Sequence, residues 1–492
     1  MASAISSWWQ GSLLFRLQNF LGRAWQSSRL ARFLAARPFW EGKTPLVLAS
    51  LARLVPASWR ARWEEGAPPL PWATGSSLLR WSEPRAYYLL LALAAYPIID
   101  YYIRYGQPVG SIAGGWKEAA LILGLGLVAA KLLLRGKEAY RPNPIAFPLA
   151  VYFAVYTFLF FVRSPDLSIA FEGLRIYLEY ALWFWVGFYL LDDERQLHLF
   201  SLCLLLFTAV LACHGIWQYI NRVPIPPEWV DQAESGITTR AFSLVKSPNI
   251  LGSLLSLVLP LGVAGFLTTG KPTPRLFYLA VTSALALALI FTFSRGAWFS
   301  AGLGLILLGL LSYPPLIWGL AVAAGATPLV FPSVAQRLLY LFSYSYYISS
   351  QRGGRIIRWQ TALEKLQHHP LVGEGWGRFG GAVAARSIPG SFYVDNFYLK
   401  TATEGGLIGL SVFVWLIVVA WRAAYQVVAR LEGNHRIWAA AYLGGLSAVL
   451  LHNTVENVFE TPLMSTFFWL LLGVLLSFPF IVGEEARHQP RV

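Results

Sequence analysis

An all-α, polytopic membrane fold follows from three features of the sequence. Of 492 residues, 56% are hydrophobic and only 13% are charged, against about 25% charged in an average soluble domain. The apolar residues fall in runs of about 17–25, the length of a helix crossing a bilayer. Short breaks rich in charge, Pro or Gly separate those runs, and one longer polar segment covers residues 332–396. The expectation is about twelve transmembrane helices and one large outer segment.

Residues 1–85 form a basic N-terminal region with eleven Lys and Arg. Leu13, Leu14, Leu17, Phe20, Leu21 and Trp25 recur at helical spacing, with Arg16, Asn19, Arg23 and Ser27 on the other face. Such a helix lies in the headgroup plane or packs on the protein. The stretches 67–71, rich in Pro, and 75–77, Gly-Ser-Ser, read as linker. The transmembrane domain then runs over 86–482, and 483–492 is a tail. Spans are expected near 86–103, 116–134, 144–162, 169–191, 197–220, 250–267, 276–293, 297–311, 316–331, 397–421, 437–451 and 463–482. Pro314-Pro315 separates the eighth from the ninth.

Orientation comes from Lys and Arg. With the N-terminus inside, the inner side holds the N-terminal region together with Lys131, Arg135, Lys137, Arg141, Arg195, Lys271, Arg275, Arg422, Arg430, Arg436, Arg487 and Arg491. This bias puts both termini in the cytoplasm. The loop 221–249, the turn Ser294-Arg295-Gly296 and the segment 332–396 then face outward. The formal charge of +14, from 39 basic against 25 acidic residues, is accounted for by this bias and by anionic lipid, without nucleic acid. Cys203 and Cys213 lie ten residues apart on one span, roughly 15 Å along a helix, too far for a bond between them. There is no CxxC, HExxH or Walker-type loop, so neither a metal nor a nucleotide cofactor is indicated.

The chemistry-bearing residues concentrate on the outward side. In Val394–Gly409 a carboxylate, Asp395, and an amide, Asn396, stand at the mouth of a span, with Gly405, Gly406 and Gly409 about three turns in. Arg240 has the planar fork that clamps phosphate, or it contacts a headgroup. Asn249, just after Pro248, either caps its helix or joins an anion site at the helix N-terminus. Arg295 sits in a tight membrane turn, either snorkelling to the interface or supplying a second cation for a diphosphate. Arg355, Arg358 and Trp359 stand at i, i+3 and i+4 on one helix face, suited to phosphate and sugar or to the membrane surface. Glu172, Arg175 and Glu179 share a face of the fourth span, as an ion path or a self-satisfied network. His452, Asn453, Glu456, Asn457 and Glu460 end the eleventh span at the level of Asp395, as a polar helix end or as part of the site. His214 is expected to be a buried, hydrogen-bonded histidine.

In this order and spacing the pieces resemble the O-antigen ligase family, which also contains Wzy-type O-antigen polymerases, exopolysaccharide polymerases and protein O-oligosaccharyltransferases. The resemblance runs from about residue 239 to 476. The ligases carry His-Asn/Ser/Gln, nine residues, then Gly-x-x-Gly. Asn396, the nine residues Phe397 to Gly405, and Gly406-Leu-Ile-Gly409 fit that pattern, and Asp395 stands where the ligases have histidine. The resemblance implies a multi-pass glycosyltransferase of the bacterial plasma membrane. It moves a glycan from an undecaprenyl-diphosphate carrier to a hydroxyl of a glycan, lipid or protein acceptor, on the outer face. The anomeric centre inverts, with neither metal nor nucleotide sugar. Arg240 and Arg295 then bind the diphosphate, and Asp395 is catalytic, accepting the acceptor's proton or orienting the acceptor. Arg355, Asn249 and Asn396 complete the substrate-binding set. A carboxylate in place of histidine is compatible with a polymerase of surface polysaccharide. The competing class is a transporter, the label carried by bicarbonate-transporter-like relatives, with the Glu172/Arg175/Glu179 face as its path. Transporter sites usually lie near the bilayer midplane, whereas the distinctive polar residues here fall in outward loops.

Overall fold

Each apolar run folds as helix, and no strand occurs among the described residues. A computed structural model describes residues 76–77, 82–106, 114–226, 229 and 239–488. The interfacial helix expected over Leu13–Trp25 lies outside them. The helices are α1 (Tyr88–Ala94), α2 (Tyr96–Tyr101), α3 (Trp116–Arg135), α4 (Ala146–Val162), α5 (Leu167–Leu178), α6 (Trp183–Tyr189), α7 (Glu194–Ile220), α8 (Pro248–Thr268) and α9 (Pro272–Phe291). They continue with α10 (Arg295–Leu311), α11 (Pro315–Val330), α12 (Pro332–Tyr340), α13 (Tyr344–Arg352), α14 (Arg355–His368), α15 (Ala382–Ser387), α16 (Phe397–Arg430), α17 (Gly433–His452) and α18 (Pro462–His488).

Six of these, α3, α7, α8, α9, α16 and α18, are long and apolar enough to cross a membrane, and up to eight spans result if each of two bent pairs is one. The twelve expected spans are reduced for local reasons. The first expected span bends by 65° between α1 and α2, where Pro97 occupies the first turn of α2. The fourth is interrupted by a 3-10 turn at Tyr180–Leu182 between α5 and α6. The ninth is a single helix of 16 residues, α11, which ends at a 98° bend where Pro332 opens α12. Proline lacks the N–H that would carry the helix through. The apolar helices α4 and α10 have only 17 residues each, and α17 is polar at both ends.

The segment 332–396 is a string of short helices, α12 to α15, joined by loops. α17 runs through the centre of the bundle, packed on α8 and on α10. Two adjacent glycines permit this. A Cβ on Gly444 would come within 2.5 Å of the Gly304 carbonyl oxygen on α10, and one on Gly445 within 2.1 Å of the Leu257 carbonyl oxygen on α8. Small residues at crossings let backbones approach closely, which is how helices gain packing energy in lipid. α18 packs along α6, and α16 along α4.

α16 is broken at Gly406, whose φ of 66° and ψ of −173° are not helical. The loop after α14 enters that break. Leu407 N–H donates to the Pro370 carbonyl at 2.8 Å, Glu374 N–H to Thr403 at 2.8 Å and Gly375 N–H to Glu404 at 2.9 Å. The Trp376 ring rests on Gly405 and Gly409, and its indole N–H donates to the Tyr156 carbonyl at 3.1 Å. The Gly-x-x-Gly run therefore seats the segment 369–377 against the bundle. Beneath it Lys400 is buried with Glu404 and Glu460, pairing to Glu460 at 2.8 Å. Tyr177 donates to Glu404 at 2.9 Å. This closed network locks α16 to α5 and to the start of α18.

Candidate active site

Four helix N-termini meet around the turn 452–457 that follows α17. α8 reaches it through Asn249, whose side-chain amide donates to Glu456. α10 reaches it through Gly296, where a Cβ would lie 2.7 Å from Val455 and 2.8 Å from His452. α16 reaches it through two bonds: Asn396 N–H donates to the Asn457 side-chain oxygen at 3.0 Å, and Phe397 N–H to the Asn453 carbonyl at 2.9 Å. α14 begins at Arg355, near enough for its charge to act on both Asp395 and Glu456. Each helix N-terminus carries roughly half a positive charge and free N–H groups. The first turns of α10 and α14 have no side-chain cap.

Asp395 is held in a rare backbone state, with φ of 52°, a region that Asp tolerates better than most residues. Arg358 supplies the restraint. Its guanidinium donates to the Gly353 carbonyl at 2.9 Å, the Tyr393 carbonyl at 3.1 Å and the Asp395 carboxylate at 3.0 Å. Trp359 donates to the Val394 carbonyl at 3.1 Å. The i, i+3, i+4 face of α14 thus exists as expected, but Arg358 and Trp359 grip the chain 393–395. Arg355 differs. Its Nε is buried with no hydrogen-bond partner among the described residues.

Glu456 lies near enough to Asp395 and Arg355 to feel both charges. One carboxylate oxygen accepts the Asn457 N–H at 3.3 Å and the other accepts Asn249. Burial, and secondly the Asp395 charge, push the Glu456 carboxyl up to about 7, against the opposing pull of Arg355. Burial also raises Asp395, opposed by Arg355 and Arg358. Two buried carboxylates that feel each other's charge cannot both ionise easily, and Arg355 offsets this only in part.

The remaining expected residues take more structural positions. Arg240 is buried, donating to the Thr292 carbonyl at 2.8 Å, the Trp229 carbonyl at 2.7 Å and the Asn249 side chain at 3.1 Å. These bonds tie the 239–249 loop to the end of α9 and orient Asn249. Asn249 is not the cap of α8: Ser247 is, accepting the Ile250 N–H at 3.3 Å, which leaves Asn249 to bridge Arg240 and Glu456. Asn396, expected to bind substrate, caps α16 by accepting the Leu399 N–H at 2.9 Å. Arg295 donates to the Arg337 carbonyl at 3.3 Å and lies over the rings of Tyr346 and Tyr340, at 5.2 and 5.8 Å. Glu172 leaves the expected shared face to pair with Arg386 on α15. Arg175 pairs with Glu179 at 3.1 Å and Glu118 at 3.5 Å. His214 is hydrogen-bonded to Ser243 at 3.1 Å.

Glu456 was legible only as a polar residue at the level of Asp395. The signal that it belongs to the centre is the Asp-Asn of 395–396 repeated as Glu-Asn at 456–457, joined by the bond from Asn396 to Asn457.

Residues 280–414 match the family model described as O-antigen ligase. Over this region the chain is similar to the O-antigen ligase family. The match is narrower than the expected 239–476. The matched region holds Arg295, Arg355, Arg358, Asp395 and Asn396, while Arg240, Asn249 and Glu456 complete the cluster from outside it. Among curated proteins none matches the chain.

Proposed function

We propose that the protein transfers a glycan from an undecaprenyl-diphosphate carrier to an acceptor hydroxyl at the outer face of the plasma membrane. The observation that carries this reading is the convergence of helix N-termini and Arg355 on two carboxylates, one of them inside the region similar to the O-antigen ligase family. A diphosphate leaving group develops negative charge as its bond to the sugar breaks. Fixed donors in a partly desolvated site stabilise that charge without reorganising. Arg355, with its buried unpartnered Nε–H, is the first ligand for the diphosphate. The uncapped first turns of α10 and α14 and the guanidinium of Arg295 extend the cradle. Arg240 and Asn396 act by positioning their neighbours, and Asn249 lines the floor.

Asp395, held by Arg358, orients the acceptor hydroxyl for attack on the face of the sugar opposite the diphosphate, so the anomeric centre inverts. The donor carries its own activation energy, and the reaction as proposed uses neither a metal nor a nucleotide sugar. Growth of a surface polysaccharide is the preferred outcome, because the acceptor-side carboxylate replaces the ligase histidine.

The test is the surface glycan of a deletion strain together with transfer activity of the purified protein. Loss of long chains identifies a polymerase, and long chains stranded on the lipid carrier identify a ligase. Uptake of a small anion into proteoliposomes, abolished by Arg175→Ala and unaccompanied by glycan transfer, overturns the reading in favour of a transporter.

A further inference from the structure

We infer that Glu456, not Asp395, is the group that takes the acceptor's proton. This rests on the transferase reading above. Three observations carry it. First, Asp395 is engaged by a guanidinium, with Arg358 bonded to its Oδ2 at 3.0 Å. The paired guanidinium favours the charged form and opposes the rise that burial gives Asp395; it also occupies an oxygen that would take a proton. Second, Glu456 lies at the same centre with neither oxygen in an ion pair among the described residues. It is held by neutral donors only, Asn249 and the Asn457 N–H. Third, residue 456 stands half-buried in the turn that follows α17, with its carboxyl withdrawn from solvent.

The groups facing Glu456 are Asp395 and Arg355, with Tyr393 near enough to feel its charge. Arg240 stands behind Asn249, and His452 lies one turn back on α17, bonded to Ser253. Burial and the Asp395 charge bring the Glu456 carboxyl up to about 7, close to where a general base works best. Paired carboxylates whose surroundings push them apart commonly divide their labour in this way.

The step balances as follows. The acceptor oxygen bonds to the anomeric carbon of the donor. The bond from that carbon to the diphosphate breaks, and its electron pair leaves on the diphosphate oxygen. The acceptor's proton passes to the Glu456 carboxylate.

The experiment adds purified protein to membranes of the deletion strain, which supply both the lipid-linked donor and the acceptor, and follows rate against pH. Glu456→Gln keeps the shape and one acceptor oxygen. It is expected to lower kcat by about 10²–10⁴-fold, the usual worth of a general base, with donor KM within about threefold. The wild-type rate should rise through about pH 7 as Glu456 ionises. Asp395→Asn removes the negative charge that opposes this ionisation, so the rising limb should move to lower pH. A Glu456→Gln rate within threefold of wild type overturns the assignment. So does a rising limb that stays in place in Asp395→Asn, a readout that decides the matter even where Glu456→Gln does not fold. Absence of transfer by the wild-type protein instead overturns the transferase reading itself.

Discussion

The main-chain N–H of Asn396 donates to the side-chain oxygen of Asn457 at 3.0 Å, setting the pairs Asp395-Asn396 and Glu456-Asn457 back to back. The same Asn457 amide donates to the Gly380 carbonyl at 2.6 Å, to which Val394 N–H also donates at 3.0 Å. One buried side chain thus sets the register of both carboxylates.

Asn457→Ala removes both bonds; the Gly380 carbonyl keeps the Val394 N–H, while the Asn396 N–H is left without its partner, at a cost of about 1–3 kcal/mol. We expect a lower midpoint of thermal unfolding in detergent and a loss of transfer exceeding the loss of folded protein. Activity at wild-type level per folded molecule would mean that the two carboxylates do not depend on this register.

Arg355→Ala and Arg358→Ala should separate in kinetics. Arg355 is assigned to the leaving diphosphate, so its loss should lower kcat and weaken donor binding without unfolding the protein. Arg358 anchors Tyr393 and Asp395, so its loss should loosen the chain 393–395, read as faster proteolysis there. Lysine should not restore function at 358, because one ammonium cannot reproduce the fork that reaches Gly353, Tyr393 and Asp395. Identical behaviour of the two variants would remove the distinction.

Gly406→Ala should be among the most damaging changes outside the centre. Its φ of 66° with ψ of −173° is a conformation essentially confined to glycine, costing other residues about 1–3 kcal/mol. A Cβ there would also lie 2.1 Å from the Leu371 carbonyl oxygen. We expect poor recovery of folded protein, measured by fluorescence-detected size exclusion. A monodisperse, active Gly406→Ala protein would show that the loop 369–377 does not need the break in α16.

Stability should carry the signature of Glu456. Its carboxyl, raised to about 7 in the folded protein against about 4.3 when unfolded, favours the folded state below the unfolded value. That contribution is lost as pH rises through the folded value. The thermal midpoint of wild type should therefore fall more steeply between pH 5 and pH 8, a range bracketing that value, than that of Glu456→Gln. Parallel curves would show that the group is not held up in this way.

Asn249→Ala should lower activity through Glu456 rather than through donor binding. The substitution removes the amide that joins Glu456 to Arg240. The expected result is a reduced kcat, a shifted pH limb and a donor KM near that of wild type. A change confined to donor KM would assign Asn249 to the donor instead.

Much of the protein was legible in the chain itself. Apolar run length and the scarcity of charge determined an all-helical membrane protein, because bilayer thickness and backbone hydrogen bonding leave few alternatives. Local spacing determined the Arg355/Arg358/Trp359 face and the position of Asn396 at a helix mouth. The number of complete spans was not legible. Hydropathy reports how apolar a segment is, whereas continuity depends on breaks such as Pro97, Tyr180–Leu182 and Pro332. The centre itself belongs to the tertiary structure. Asn249, Asp395 and Glu456 are separated by more than fifty residues at each step, and no local pattern reports which helix ends will meet. Only packing decided that Arg358 would hold Asp395 while Glu456 kept neutral partners. That difference, set by neighbours drawn from α8, α14 and the turn after α17, separates two similar carboxylates into a positioned group and a proton acceptor.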